Sequence, residues 1–216
     1  HMLSLSLFSS SQSVSVSVCV KKKIKTFYEI QKQSMKSDAI MHLLSKIFQT
    51  YNNDFEYIII PRGPGGFTSI RNLLSISQGL SLTNGAKIRT VNTFEIFLPY
   101  FRRKKKNIVI IFKDSRKDFF YQFYSNNNDI WQKESKIFSG FSDEIEKKIE
   151  QYSKRNKSSE IQIVTNENED IFPKGYKKKV YKFNIDARYV MKAHFLGFSK
   201  PTTKLLYFHP HYGKKI

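Results

Sequence analysis

The beginning of the chain changes its hydrophobic period from two residues to a helical repeat. Apolar and polar residues alternate strictly over 3–7 and again over 14–20, and this period is typical of strands. We expect serine to occupy an exposed face of both strands. A third strand over 24–30 would follow the turn at 21–23, so the chain is predicted to open with a three-stranded antiparallel meander.

Helical spacing follows the meander. Apolar residues recur every three or four positions from Ser37, a candidate N-cap, to Tyr51, which predicts an amphipathic helix. A wholly apolar run over 57–60 indicates a buried strand, and the glycine- and proline-rich residues after it must form a loop. A second helix is predicted over about 68–84, with Gly85 as its C-cap.

Shorter elements complete the predicted first lobe. A strand over 88–91 should lead into a short helix that Thr93 caps and Pro99 limits. The basic run 102–106 then reads as a connection between two lobes.

The second half of the chain repeats this plan less regularly. Strands are predicted over 108–112, 119–124, 130–137 and 161–164, with a helix from Ser142 and another over 187–198. This doubled pattern favours an α/β fold with three parts: an N-terminal lobe over 3–101, a shorter and degenerate second lobe over 107–185, and a C-terminal helix and tail over 186–216 that packs back on the first lobe.

Composition narrows the class of protein. The 216 residues contain 37 Lys+Arg and 18 Asp+Glu, a formal net charge of +19. That charge fits either a surface for a polyanion or the codon bias of an AT-rich genome, because 29 of the basic residues are lysine. No apolar run is long enough to span a bilayer, and the single Cys19 excludes an internal disulfide framework. We therefore expect a cytoplasmic protein without a membrane anchor.

The most specific motif is a glycine-rich loop. It comprises Gly63, Pro64, Gly65 and Gly66 and leads through Phe67 and Thr68 into the second predicted helix, where free N–H groups favour an anion. It matches neither a Walker A loop nor a dinucleotide fingerprint. A tight strand-to-helix turn without a ligand explains the same residues.

The second predicted helix has an outer stripe of mostly small residues, which are Arg71, Ser75, Gln78, Gly79 and Leu82. A glycine inside an exposed helix costs about 1 kcal/mol relative to alanine. We interpret Gly79 as a sign that the helix of a partner subunit approaches closely, although neutral drift would produce the same residue.

Chemistry-bearing residues are sparse. The histidines are scattered, so no metal site is predicted, and His194 reads as a packed residue on an apolar helical stripe. Cys19 alternates within a strand and reads as a buried structural thiol. The segment Asp114-Ser115-Arg116 follows an apolar strand, where it is either a site or a charged turn. We expect no catalytic residue.

These motifs together resemble a known family. The bacterial TsaB family, also called YeaZ, carries the signature G-P-G-S-F-T-G-L-R followed by [KQ]-G-L-A, which is similar to residues 63–71 and 78–80 here. Asp114, Arg116 and Tyr121 look like the D-A-R … Y segment that opens the second lobe of that family. The likeness covers most of residues 3–124.

The resemblance implies a fold, a role and partners. The fold would be that of the actin-like ATPases, with two RNase-H-like lobes, the second degenerate here. The role would be that of the non-catalytic subunit in tRNA threonylcarbamoyladenosine modification. The partners would be a TsaD-type catalytic paralogue, a TsaE-type ATPase and tRNA through the complex, and a second copy of the chain is an alternative occupant of the same surface. The contact surface would comprise exposed residues of the first two helices, namely Met41, Ser45, Phe67, Arg71, Ser75, Gln78, Gly79 and Leu82.

The sequence also departs from the family. The acidic residue that ends the family's first strand is missing, because no acid precedes Glu29. A nucleotide with Mg²⁺ should therefore bind poorly, and no cofactor is expected. The histidine pair that holds the metal in TsaD has no counterpart. The alternatives are a basic RNA-binding module, built on residues 21–25, 102–106 and 177–179, and, with less support, an actin-like acyltransferase or peptidase.

Overall fold

The structure is a computed structural model that describes residues 3–31, 38–101, 107–113, 119–156, 161–167 and 180–206. The chain divides into two units. Unit 1 comprises residues 1–99 with 185–207, and unit 2 comprises 100–184 with 208–216. The predicted connection at 102–106 and the candidate N-cap Ser37 lie outside the described residues.

Unit 1 is built on a five-stranded mixed sheet. Its strands in chain order are β1 (Leu3–Ser9), β2 (Ser13–Val20), β3 (Lys23–Gln31), β4 (Tyr57–Pro61) and β5 (Lys87–Val91). Their spatial order is β3-β2-β1-β4-β5. The first three pair antiparallel, as the alternating pattern predicts, whereas β4 and β5 extend the sheet in parallel.

Two helices cover one face of this sheet. They are α1 (Ala39–Thr50) and α2 (Phe67–Asn84). Leu43 and Ile47 from α1 and Leu73 from α2 share one core cluster with Leu5 and Ile58 of the sheet. The predicted C-cap is confirmed, because Gly85 has φ 71° and its N–H donates to the Ser81 carbonyl at 2.8 Å.

The other face of the sheet is covered by α5 (Ala187–Phe195), which contacts β1, β2 and β4. The expectation that serine lines an exposed face is therefore wrong. Ser6, Ser15 and Ser17 are fully buried, and the Ser15 hydroxyl accepts the Ala187 N–H at 2.9 Å. Ser6 donates to the Ala187 carbonyl at 2.7 Å. Burial of these hydroxyls is tolerated because each has a hydrogen-bond partner.

The short helix after β5 differs from its prediction by one residue. This helix, α3, spans Thr93–Phe97, and Asn92 rather than Thr93 is its N-cap. The Asn92 side chain accepts the Phe94 N–H at 3.0 Å. A single turn of 3-10 helix, Leu98–Tyr100, follows.

Unit 2 contains a second sheet of the same plan. Its strands are β6 (Asn107–Lys113), β7 (Phe119–Asn127), β8 (Ile130–Lys133), β9 (Phe138–Gly140), β10 (Gln162–Thr165) and β11 (Val180–Lys182). The spatial order is β11-β10-β6-β7-β8. Strand β6 lies between the antiparallel β7 and the parallel β10, as β1 lies between β2 and β4 in unit 1. The one helix described within unit 2 is α4 (Ser142–Arg155), whose Ile145 and Ile149 join the core of the unit.

Two details of unit 2 differ from the sequence prediction. The strand predicted over 130–137 ends already at Lys133, as β8, and a further strand that was not predicted, β9, begins at Phe138; both pair with β7. Strand β11 was not predicted, because three residues carry too little pattern to identify a strand. Within the described ranges, no helix has the length and hydropathy needed to cross a bilayer.

Candidate functional site

The candidate site is the outer surface of α1 and α2, on the side of both helices that faces away from the sheet. Both helices bury one stripe against the same sheet face, so their polar stripes lie on the same side of unit 1. We call this surface the helical face. The predicted interface residues on it are all exposed, namely Met41, Ser45, Phe67, Arg71, Ser75, Gln78, Gly79 and Leu82.

All the large apolar side chains that are exposed among the described residues of unit 1 lie on this face. Leu82 is 88% exposed, Met41 54% and Phe67 39%. These three are among seven large apolar side chains that are exposed in the part of the chain that the structure describes. A partner that covers this face would bury all three side chains.

Nothing among the described residues requires a glycine at position 79. A β-carbon built at this position would meet nothing within 4 Å among the described residues. Its backbone is helical, so a left-handed conformation does not account for the glycine either. The close approach that a glycine permits would therefore have to come from another molecule.

Phe67 and Arg71 lie one turn apart at the start of α2. The Arg71 guanidinium sits 4.0 Å from the centroid of the Phe67 ring, within the range of a cation–π contact. This contact holds the aromatic ring and the charge together on the surface. The pair thus presents an apolar ring and a planar group of hydrogen-bond donors at one point, a combination that is frequent among residues that dominate interfaces.

An open depression lies on α1 beside Met41 and Ser45. Its volume is about 400 Å³, and the other lining residues are Leu44, Phe48 and Gln49. None of these three was predicted as a site residue: helical spacing puts Leu44 and Phe48 on the apolar stripe of the helix, and Gln49 lies on the polar side without a further signal. Phe48 is only half-buried, which the helical spacing alone does not reveal.

The glycine-rich loop connects β4 to α2 and is held by the backbone of two other segments. The Gly63 carbonyl accepts the Thr93 N–H at 3.0 Å, and the Arg62 carbonyl accepts the Leu206 N–H at 2.7 Å. Gly63 has φ 96°, and an added β-carbon would lie 2.7 Å from the Leu206 carbonyl oxygen. Glycine is required there for both reasons. The turn interpretation explains this position without a ligand.

The rest of the loop leads into the helix. Gly63 and Pro64 are buried, Gly65 is half-buried, and Gly66 is the exposed N-cap of α2. The Gly66 carbonyl accepts the Ile70 N–H at 3.1 Å, and Thr68 is exposed in the first turn. The loop therefore fixes where α2 starts and how Phe67 is presented.

The second-lobe motif is only partly described. Asp114 and Arg116 lie outside the described residues, whereas Tyr121 is in β7 and is 2% exposed. The Tyr121 ring stacks on Phe138 at 5.2 Å, and burial together with the nearby Glu144 charge raises its pKa. Tyr121 is a core residue of unit 2 rather than an accessible site residue.

The remaining candidate groups are also placed structurally. Cys19 is buried, and desolvation raises its pKa to about 11, which keeps the thiol protonated. The His194 ring packs 5.4 Å from Tyr57, its Nδ1 shares a hydrogen bond with the Ser199 hydroxyl at 2.7 Å, and burial lowers its pKa. Among the described residues, no three His, Cys, Asp or Glu side chains are grouped as metal ligands would be.

The topology of the two sheets defines the class of fold. Each unit has the order 3-2-1-4-5 when its main strands are numbered along the chain, with β9 as an extra strand in unit 2. This is the RNase-H-like sheet, and two such units make the actin-like ATPase fold that the family resemblance implied.

Solved structures share this fold over nearly the whole chain. The chain is similar to YeaZ from Pseudomonas aeruginosa, with a TM-score of 0.67 over 97% of this chain and 100% of that one, at 10% sequence identity. It is similar also to an uncharacterized protein from Pseudomonas aeruginosa described as having similarity to the peptidase YeaZ, with a TM-score of 0.68 over 91% and 92% of the two chains, at 11% identity. No family model and no curated protein sequence matches the chain. The chain is thus YeaZ-like in fold.

Proposed function

We propose that this protein is a non-catalytic scaffold subunit of the machinery that makes threonylcarbamoyladenosine in tRNA. In this role it binds a TsaD-type threonylcarbamoyltransferase through the helical face and stabilises or activates it. A TsaE-type ATPase and tRNA join through the complex. A second copy of the chain is a competing occupant of the same face.

The exposed helical face carries this proposal. Its Leu82 is 88% exposed, and Gly79 leaves open space where most helices would carry a side chain. A helix from a partner would cover Leu82 and approach Gly79 closely. In the isolated chain, the exposed leucine and the helical glycine are unfavourable or neutral. The YeaZ-like fold and the glycine signature support the choice of partner.

An enzymatic role has less support. A peptidase or acyltransferase without a metal needs an activated nucleophile. Cys19, the single cysteine of the chain, is buried in β2 with its pKa raised to about 11, the opposite of activation. One structural neighbour is described as similar to a peptidase, and that description applies to the neighbour and not to this chain.

Charge reversal at Arg71 tests the proposal. The chain and the TsaD-type paralogue from the same genome would be mixed, and the mass of the product measured by light scattering. Arg71→Glu should weaken the mixed complex by about 2 kcal/mol or more, roughly 30-fold in Kd, as expected for a central interface residue. Lys200→Glu is the matched control, since Lys200 is exposed in unit 1 outside α1 and α2 and only its backbone pairs with Thr90.

The two variants separate binding from folding. The free energy of unfolding of both variants, measured in urea, should lie within about 1 kcal/mol of the wild-type value, because the Arg71–Phe67 contact is on the surface. Equal complex formation by wild type and Arg71→Glu would remove the helical face from the interface. Absence of any mixed complex for the wild type would remove the proposed function.

A further inference from the structure

The hairpin between β2 and β3 carries the densest described cluster of positive charge in unit 1. Lys21, Lys22, Lys23 and Lys25 fall within five residues, and all four are exposed. Among the described residues, none of these ammonium groups forms an ion pair or a hydrogen bond. The structure of this unit therefore does not use their charge.

The acidic residues around the hairpin do not balance it. The nearest acid along the two strands is Glu29, whose carboxylate accepts a hydrogen bond from Gln31 at 2.7 Å. At the same end of the sheet lie Asp54 and Glu56, where the Glu56 N–H donates to the Leu3 carbonyl. These two exposed carboxylates come just before β4, and β1 separates β4 from β2. The tip of the hairpin thus remains positive.

Two of the lysines occupy positions that their residue type disfavours. Val20 pairs with Lys23, so Lys21 and Lys22 form a two-residue turn, and their φ angles are 49° and 63°. Positive φ at both positions defines the turn that asparagine, aspartate and glycine prefer. This backbone conformation does not favour a long side chain such as that of lysine.

The protein provides its own comparison in unit 2. The β7–β8 hairpin has the same two-residue turn, and the φ angles of its Asn128 and Asp129 are 50° and 64°. There the turn carries the residue types that the geometry favours. The matching backbone with lysines in unit 1 shows that the turn geometry does not account for Lys21 and Lys22.

We propose that residues 21–25 form a binding surface for the phosphate backbone of RNA. Ammonium groups on a turn and an edge strand recognise phosphates as point charges, without reading bases. A membrane surface fits less well, because none of the large exposed apolar side chains of the described residues lies on the hairpin. The phosphate chemistry is independent of the proposed function, whereas the choice of RNA over DNA rests on it.

A double substitution removes the charge and improves the turn. Lys21→Asn with Lys22→Gly gives the turn its preferred residues, so the variant should keep or raise the melting temperature of the wild type. Lys200→Asn with Lys204→Asn is the control, since it removes the same charge from two exposed positions of unit 1 outside the hairpin. Loss of binding in the hairpin variant alone would thus not come from unfolding or from net charge.

Binding of the full chain to an unmodified tRNA transcript would be measured by fluorescence anisotropy between low and physiological salt. The hairpin variant should bind on the order of tenfold more weakly, and its slope of log K against log salt should be shallower by roughly 1.8, the release expected from two phosphates. The control variant should keep the wild-type slope.

Three results would overturn the proposal. They are absence of tRNA binding by the wild type at low salt, equal slopes for the hairpin and control variants, and hairpin-dependent binding confined to vesicles that contain phosphatidylserine. A DNA duplex that binds as tightly as tRNA through the hairpin would overturn the choice of RNA. Complex formation with the TsaD-type paralogue is measured separately with Arg71→Glu, so failure of the proposed function and failure of phosphate binding at the hairpin are distinguishable.

Discussion

Replacement of Gly79 should have opposite effects on the free chain and on the complex. In the free chain a β-carbon at this position meets nothing within 4 Å, so alanine introduces no clash. Glycine costs a helix interior about 0.8–1.0 kcal/mol relative to alanine. Gly79→Ala should therefore stabilise the chain by about 1 kcal/mol, which corresponds to roughly 2–4 °C in melting temperature for a protein of this size.

In the complex the same position should tolerate little volume. If the backbone of a partner helix approaches Gly79, a leucine side chain would force the two helices apart and leave neighbouring contacts unmade. Gly79→Leu should weaken the complex with the TsaD-type paralogue by about 2 kcal/mol or more, while the free variant stays at least as stable as the wild type.

The assays are urea unfolding of the free chain and titration calorimetry of the complex. Glu150→Leu is the control for an added exposed leucine, because Glu150 is exposed on α4 of unit 2. A lower urea midpoint for Gly79→Ala would show that Gly79 is packed in the free chain. An unchanged Kd for Gly79→Leu would refute a close helical contact at this position.

Two further predictions concern the face of the unit 1 sheet that α5 covers. Ser15→Ala removes the acceptor of the buried Ala187 N–H, which should cost about 1–3 kcal/mol in urea unfolding, whereas the exposed Ser75→Ala should change stability little. Burial and the nearby Arg89 charge lower the pKa of His194 from 6.5, so the unfolded chain binds more protons and stability should fall as pH drops through about 6.5. The difference in unfolding free energy between wild type and His194→Asn should then shrink between about pH 8 and about pH 5, and a constant difference would contradict the assignment.

Local patterns predict much of the fold of this protein. Strict alternation in β1 and β2 and helical spacing in α1 and α2 are properties of a few consecutive residues, and the structure has these elements within a few residues of the predicted bounds. Gly85 is identified as a C-cap by its position at the end of the helical pattern.

Long-range packing accounts for the main error. The alternation in β1 and β2 places serine on one face, and a sequence pattern alone assigns that face to solvent. Burial of Ser6 and Ser15 depends on α5, which lies about 170 to 180 positions later in the chain. Period-two alternation separates the two faces of a strand but does not determine what covers each face.

The candidate site shows the same division. The outer stripe of α2 follows from amphipathic spacing, so Ser75, Gln78 and Leu82 are exposed as predicted. The depression on α1 could not be derived in this way, because Phe48 belongs to the apolar stripe and is nevertheless half-buried. Its exposure depends on how far the neighbouring elements cover the edge of that stripe.

Hydrogen exchange of the chain with and without the TsaD-type paralogue tests the central claim most directly. Amides near the exposed faces of α1 (39–50) and α2 (67–84) should gain protection in the complex, while α5 and α4 exchange at their free rates. Protection of α5 with unchanged exchange in α1 and α2, or no change anywhere at saturating partner, would contradict a scaffold that binds through its helical face.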